Sequence, residues 1–305
     1  MKLLNSHCGF VTLLGEPNVG KSTLINAFTG SKVSIVTHKA QTTRARVRGI
    51  VIEENTQIIM VDTPGLFAPK GNLEKAMVSE AWSAASDSDV KLVLIDATKR
   101  FSDGVKNMLK GVFRCREKNT FIALVINKID LLRTQKLLAI SKEMNSLFEF
   151  DATFMISSLK KSGIGELKQW LVNKLPEGPW LYPRDQVADF PQKMYAAEVT
   201  REKLFLRLHQ ELPYNLTVEP ASWITRADNT VRIEQTIFVS HKRHKAMIIG
   251  LRGEVIKSIS IAARAEIEDF LCKRVHLFLR VKVRENWLSD PLRFANMGLN
   301  LRGFN

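Results

Sequence analysis

Cysteine is scarce in this chain: Cys8, Cys115 and Cys272 stand far apart, with no CxxC spacing. That argues against a disulfide framework and for a reducing compartment. The six histidines form no zinc-type pattern with them. No apolar run reaches the roughly 18 residues of a membrane span. Met1–Leu14 carries one lysine and is broken by Gly9 and Thr12, so it does not read as a signal peptide. There is no internal repeat and no low-complexity tract. Negative charge is the scarcer sign, with 31 Asp and Glu against 45 Lys and Arg, a net +14. Such a surplus favours polyanions, either nucleic acid or an anionic membrane surface. It is concentrated: residues 232–284 hold 12 basic and 5 acidic side chains, while their flanks within 181–305 nearly cancel.

What is present is a rhythm. β-rich apolar runs at Phe10–Leu14, Val47–Ile52, Ile58–Val61, Val90–Ile95, Phe121–Ile126 and Thr153–Ile156 alternate with amphipathic segments such as Asn72–Ala85, Val105–Arg116 and Gln135–Phe148. That alternation predicts an α/β doubly wound sheet. The exception is Val47–Ile52 with Ile58–Val61, whose short connection leaves no room for a crossover helix and predicts an antiparallel hairpin. The rhythm stops at Pro176, Gly178, Pro179 and Pro183, a predicted linker. A helix at Gln192–Leu212 follows. Strands at Leu216–Thr225 and Val231–Val239, helices at His244–Ile249 and Val255–Cys272, and a strand at Val275–Val283 give the order α-β-β-α-α-β.

Three motifs carry chemistry in the first part. Gly15-Glu16-Pro17-Asn18-Val19-Gly20-Lys21-Ser22-Thr23 fits GxxxxGK[ST] between a predicted strand and helix. Its backbone N–H groups and helix N-terminus suit phosphates; Lys21 reaches the β- and γ-phosphates and Ser22 ligates Mg²⁺. Asp62-Thr63-Pro64-Gly65 follows a strand, where the aspartate holds Mg²⁺ through water and the Gly65 N–H meets the γ-phosphate. Asn127-Lys128-Ile129-Asp130 selects the base, because a carboxylate accepts two parallel hydrogen bonds from guanine that adenine does not offer. GTP is therefore expected over ATP. Ser157-Ser158-Leu159 after the last strand is a weaker signal for the guanine oxygen.

Between loop and strand, 31–44 is long and polar and reads as a mobile switch. Thr42 and Thr43 compete as its Mg²⁺ ligand, with Thr43 preferred. Lys21, Thr43 and Gly65 form the expected catalytic set. Leu66 stands where Ras-type GTPases carry a water-positioning glutamine, so slow intrinsic hydrolysis is expected. Asn18 is a candidate for holding a K⁺ ion that would neutralise developing charge.

In the second part, Gly250-Leu251-Arg252-Gly253 sits between two helices inside the basic block. In KH domains such a GxxG loop clamps about four nucleotides of single-stranded RNA. Lys242, Arg243, Lys245, Arg252 and Lys257 add positive charge. The alternative for this part is a basic protein-docking domain.

Together these residues closely resemble the Era family, bacterial GTPases that join a Ras-like domain to a C-terminal type II KH domain. The resemblance is carried by the phosphate loop, Lys39-Ala40-Gln41-Thr42-Thr43-Arg44, the Asp62 and Asn127 motifs, the GxxG loop, and Val283-Arg284-Glu285-Asn286-Trp287 with its tail to Leu301. Glu16 and Ser158 depart from it, standing where the family usually has a basic residue and an alanine. The expected division is a P-loop GTPase domain at 1–175 (a mixed sheet with one antiparallel hairpin), a linker at 176–191, an α+β type II KH domain at 192–285 and a tail at 286–305 packing on it. The resemblance implies a role in small ribosomal subunit assembly, with the KH domain on the 3′ end of small-subunit (16S) rRNA, and loose association with the cytoplasmic membrane face. A cytoplasmic monomer is expected. The competing readings are an RNA-binding module with incidental GTP turnover and a membrane-associated signalling GTPase.

Overall fold

The computed structural model describes residues 6–39, 41–99, 102–209 and 212–299. They form two compact units, one holding the chain up to Asp189 together with residues 297–299, the other Phe190–Asn296.

The first unit runs β1 (His7–Leu14), α1 (Lys21–Thr29), β2 (Val47–Glu53), β3 (Thr56–Asp62), α2 (Asn72–Ser86), β4 (Val90–Asp96), α3 (Asp103–Arg114), β5 (Phe121–Asn127), α4 (Thr134–Leu147), β6 (Ala152–Ile156), α5 (Ile164–Lys174) and β7 (Ala188–Asp189). The sheet order is β6-β5-β4-β1-β3-β2-β7. β2 and β3 form the expected antiparallel hairpin, and the pairs among β1, β3, β4, β5 and β6 are parallel. Buried on both faces, the strands read as continuous apolar runs. In β4 the side chains alternate: Val90, Leu92 and Leu94 meet α1 and α5, while Val93 and Ile95 meet α2, α3 and α4. One run of sequence thus supplies two hydrophobic layers.

The segment expected as a linker does not leave this unit. Gln57, fully buried in β3, accepts the Leu181 and Tyr182 N–H groups at 2.8 and 3.0 Å and donates to the Tyr182 carbonyl at 2.8 Å. Asp189 accepts from Arg48 and from the Tyr182 hydroxyl. β7 then pairs with β2 and covers part of its edge. Prolines 176, 179 and 183 prevent helix and leave an extended strap, whose backbone groups find partners on the sheet.

The second unit runs α6 (Gln192–Arg207), β8 (Leu216–Thr225), β9 (Val231–Val239), α7 (Lys242–Ile249), α8 (Glu254–Leu271), β10 (Val275–Val283) and α9 (Pro291–Asn296). The order through β10 is the expected α-β-β-α-α-β, and the sheet is β10-β9-β8, with β10 parallel and β8 antiparallel to β9. This is the type II KH arrangement. α6 stops at Arg207 rather than Leu212. Beyond it Leu208 is extended, Gln210 and Glu211 lie outside the described residues, and 212–215 form a single turn around Pro213. Proline disfavours helix in the residue before it, and the break lets both Leu208 and Leu212 enter the core. The odd-numbered residues of β9 and β10 face the helices (Ile237, Val239, Leu279, Val281), packed with Leu204, Phe205, Ile248 and Ile259. The tail covers one end of the other face. Trp287 and Phe294 are buried, and Arg293 lies 3.8 Å over the Phe238 ring while pairing with Glu219. Residues 297–299 group with the first unit instead, and 300–305 lie outside the described residues. Among the described residues no helix is long and apolar enough to cross a membrane.

Gln57→Leu would leave two strap N–H groups without their acceptor. The expected loss is about 2–4 kcal/mol of stability, with faster proteolytic cleavage within 176–187. Denaturant melts and limited proteolysis measure both.

Candidate functional site

The parallel strands end level with one another: Leu13 pairs with Asp62, Asp96 with Asn127, and Asn127 with Ile156. Ligands of open α/β sheets bind outside these carboxyl ends. A cavity of about 610 Å³ opens there. It is lined by Pro17, Asn18, Gly20, Lys21, Ser22 and Thr23 of the phosphate loop, by Thr42 and Thr43, by Thr63 and Gly65, by Asn127, Lys128 and Asp130, and by Ser157, Ser158 and Leu159. All four motifs therefore meet at one site.

Some expected residues act from behind the wall. Gly15 and Glu16 offer their carbonyls to the Lys21 ammonium, both at 3.0 Å. The Glu16 carboxylate accepts from Ser102 rather than facing the cavity. Val19 and Pro64 are buried, and Ile129 packs against the core. Leu66 is also core, lying with Leu14, Ala81 and Ala85; only its backbone serves the loop, by donating to the Gly15 carbonyl at 3.0 Å. The walls also include Ile35–Lys39 and Gln41 of the expected switch segment, and three residues no motif announced: Asp96, Lys99 and Leu131. Asp96 carried a signal in hindsight, as an acid at the end of a wholly apolar strand.

Asn127 knits the site. Its Nδ2 donates to the Val19 carbonyl at 2.8 Å, and its Oδ1 accepts both the N–H and the hydroxyl of Ser158 at 3.0 Å. The serine that replaces the family's usual alanine thus makes a bond alanine lacks. Gly20 adopts φ +101, and a Cβ there would lie 2.3 Å from Asn127 Nδ2, so glycine is required for conformation and space alike. Lys128 Nζ bridges the Asn18 carbonyl at 2.8 Å and Asp96 at 2.6 Å. Asp96 also accepts from Thr98, and these bonds hold its carboxyl below the ordinary range. Asp130 is exposed at the rim.

The switch threonines separate cleanly. Thr43 Oγ1 lies 3.0 Å from Ser22 Oγ and 3.2 Å from Asp62 Oδ2, and Ser22 donates to the same carboxylate oxygen at 2.7 Å. Thr42 instead bonds the Lys39 carbonyl and Thr37. The start of the switch is anchored, because Asn26 binds the backbone of Val33 and Ser34. Gln41 reaches Glu74 of α2 at 2.7 Å, tying the switch segment to that helix. Ala40 lies outside the described residues. Asn18, the K⁺ candidate, donates its side-chain amide to the His38 carbonyl.

Asp62 is fully buried, and its Oδ1 has no hydrogen-bond partner. Burial pushes its carboxyl up, opposed by Lys21 and the three hydroxyls around it. Burial likewise pulls the Lys21 ammonium down to about 8, opposed by Asp62 and Glu16. Each group lacks part of the charge that would make its ionised form comfortable.

In the second unit, α7 and α8 meet at the GxxG turn. Gly250 has φ +73, and a Cβ there would strike Val255 at 2.5 Å. Leu251 is 79% exposed, and Arg252 and Lys257 are exposed as well. α7 has eight residues, about 12 Å, so Lys242 and Arg243 stand a helix length from the turn. Lys245 is half-buried between them.

A family model described as 50S ribosome-binding GTPase matches residues 10–128, and one described as KH domain matches 211–288. GTPase Era of Dinoroseobacter shibae is 51% identical over 300 residues, 98% of this chain and 97% of that one. The chain belongs to the Era family of GTPases. GTPase Era of Brucella suis is 52% identical over 96% of this chain and 93% of its own. A crystal structure of Era in complex with MgGDPNP and nucleotides 1506–1542 of 16S ribosomal RNA matches with a TM-score of 0.92 at 35% identity, covering 96% of this chain and 99% of that one. An Aquifex aeolicus Era variant bound to GDP·AlF4⁻ matches with a TM-score of 0.91. The expected fold and GTPase activity are those of the family.

The Lys21 ammonium, pulled down to about 8 by burial, is expected to make nucleotide binding pH-dependent. Phosphates placed against it would restore the proton lost above that pH, so binding is expected to take up a proton and to weaken as pH rises. At about pH 9, calorimetry in buffers of different ionisation heat is expected to show uptake of nearly one proton per nucleotide. No uptake would mean the ammonium stays charged throughout.

Proposed function

We propose that GTP binding and hydrolysis in this protein time its grip on the 3′ end of small-subunit rRNA during small ribosomal subunit assembly. The observation that carries this reading is the pairing, in one chain, of a switch threonine drawn onto the Ser22–Asp62 pair with an exposed GxxG turn in a type II KH unit. GTP would favour the RNA-holding state and hydrolysis the release. The relative whose crystal structure contains both a GTP analogue and 16S rRNA supports the same pairing. The model described as 50S ribosome-binding covers the GTPase half alone, whereas the RNA-facing turn lies in the other half.

Within the cavity, Lys21 would neutralise the β- and γ-phosphates, and the Gly65 N–H would meet the γ-phosphate. Asn127 braces the loops, Lys128 lies along the base, and Asp130 takes the two guanine donors. Mg²⁺ fits the donor set: Ser22 Oγ and Thr43 Oγ1 are hard oxygens, and the unpartnered Asp62 Oδ1 is suited to a metal-bound water. When bound, it supplies charge neutralisation on the phosphates as the bond to the γ-phosphoryl loosens. Thr43 joins only when the switch is closed, which makes ion binding the reporter of the γ-phosphate.

Because Leu66 is buried in the core, no side chain at that position orients the attacking water. A slow intrinsic rate follows, with turnover left to the fixed charge of Lys21 and the backbone N–H groups.

Asp130→Asn is expected to weaken GTP binding by about 100-fold, on the order of 3 kcal/mol for two lost bonds, and to improve xanthosine triphosphate binding. Unchanged base preference would remove Asp130 from its role. Crosslinking and sequencing of bound RNA, with a non-hydrolysable GTP analogue and then with GDP, tests the whole reading. A peak at the 3′ end of small-subunit rRNA is expected, stronger with the analogue and lost in Leu251→Asp/Arg252→Asp. Diffuse binding indifferent to nucleotide and to that change would overturn it.

A further inference from the structure

Thr43 reaches the Ser22–Asp62 pair from a segment fastened at both ends. At its start, Asn26 binds the backbone of Val33 and Ser34. At its far end, Arg46 Nε lies 2.5 Å from the carboxylate of Glu80 in α2, and Arg46 Nη1 lies 3.4 Å from Asp87 just past the same helix. Between these anchors a further bond crosses to α2. Gln41, two residues before Thr43, donates its Nε2 to Glu74 Oε1 at 2.7 Å. The other Glu74 oxygen accepts the Lys70 N–H, just ahead of the helix, at 2.6 Å.

The two attachments to α2 are unequal. Glu80 is buried, and parting it from Arg46 would leave an uncompensated charge in the interior, which keeps that end in place. Gln41 and Glu74 are both half-buried, so water can replace either partner of their bond. Gln41 also stands at φ +58, a left-handed backbone that residues other than glycine seldom adopt. Such a conformation persists where surrounding contacts hold it, and the bond to Glu74 is one of them. Opening this bond would release a strained residue two positions from Thr43, while Arg46 stays docked. With Leu66 buried in the core, turnover depends all the more on Thr43 and the ion being in place.

We propose that Glu74 is a positioning residue for GTP hydrolysis. By binding Gln41 it holds the switch segment in the conformation that sets Thr43 on the Ser22–Asp62 pair, so this clasp governs the grip on Mg²⁺ and on the γ-phosphate. GDP, which does not call on Thr43, would be held independently of it. The proposal rests on the reading of Thr43 as the switch ligand given above, and its test separates the two.

The experiment measures, on the full chain, kcat and KM for GTP, the Mg²⁺ concentration giving half-maximal hydrolysis, and release of fluorescent GDP and of a fluorescent non-hydrolysable GTP analogue. The variants are Gln41→Ala, Glu74→Ala, their double, Gln41→Glu, and the exchange Gln41→Glu/Glu74→Gln. Glu74→Ala also strips the acceptor of the Lys70 N–H; Gln41→Ala leaves that bond intact and carries the test if thermal melting shows Glu74→Ala to be unstable. A hydrogen bond to a charged group shifts such a balance by about tenfold or more. Each alanine variant is therefore expected to raise the half-maximal Mg²⁺ by about fivefold or more, to lower kcat by a similar factor and to speed release of the GTP analogue, with GDP release unchanged. The double variant should be no worse than the worse single one. Gln41→Glu sets two carboxylates against each other and should be the most impaired, whereas the exchange restores the bond with donor and acceptor reversed and should recover the wild-type values to within about twofold. Unchanged Mg²⁺ dependence in Gln41→Ala, equal acceleration of GDP and analogue release, additive losses in the double variant, or no recovery in the exchange would each overturn the proposal. Indifference of the Mg²⁺ dependence to Thr43→Ala would instead overturn the switch reading.

Discussion

The nucleotide site depends on one geometric constraint: parallel strands in a twisted sheet terminate in register. Side chains far apart in sequence meet because β1, β3, β4, β5 and β6 all hand over to loops at the same level. Such a meeting still needs a fastening, and Asn127 provides it by binding the phosphate loop through one amide atom and the Ser158 turn through the other. The phosphate-loop motif and the Ser158 turn on the other side of the cavity therefore share a single side chain. Lys128 adds a second seam, from the Asn18 carbonyl to Asp96.

Against that rigid frame stands a group of charges that is incomplete by itself. Lys21 and Asp62 are both buried, and each is shifted toward its neutral form. Polyphosphate and a divalent ion would bring the opposite charges each requires, so that ligand binding and local electrostatics would reinforce one another. The switch segment is connected to this balance at Thr43 and, through Gln41 and Glu74, to the first turn of α2. A change at the phosphate end has two polar handles on neighbouring elements.

Much of this was legible in the sequence because glycine-rich loops, strand-end acids and a GxxG turn are short motifs with local causes. The order of elements was legible for the same reason, as apolar period and turn chemistry agree. What escaped depends on long-range partners. The strap at 176–189 looks like a linker because its prolines forbid helix; its anchor, Gln57, lies over a hundred residues earlier in an apolar strand. The fate of Leu66 was half visible: the missing glutamine could be read, but its burial beside Ala81 and Ala85 required the packing of α2. Choosing between Thr42 and Thr43 needed three-dimensional distances. The break after Arg207 reflects two leucines competing for one core, which helical periodicity alone cannot weigh.

β10 is an edge strand of nine residues, and its outer backbone groups would serve as a template for another chain. Its outward side chains are His276, Phe278, Arg280 and Lys282, so two cations follow the one exposed ring along the strand. Charged side chains on an exposed edge are a common way for sheets to discourage edge-to-edge pairing. Removing those cations would therefore bear on solubility, because like-charged edges from two molecules repel before their backbones can align.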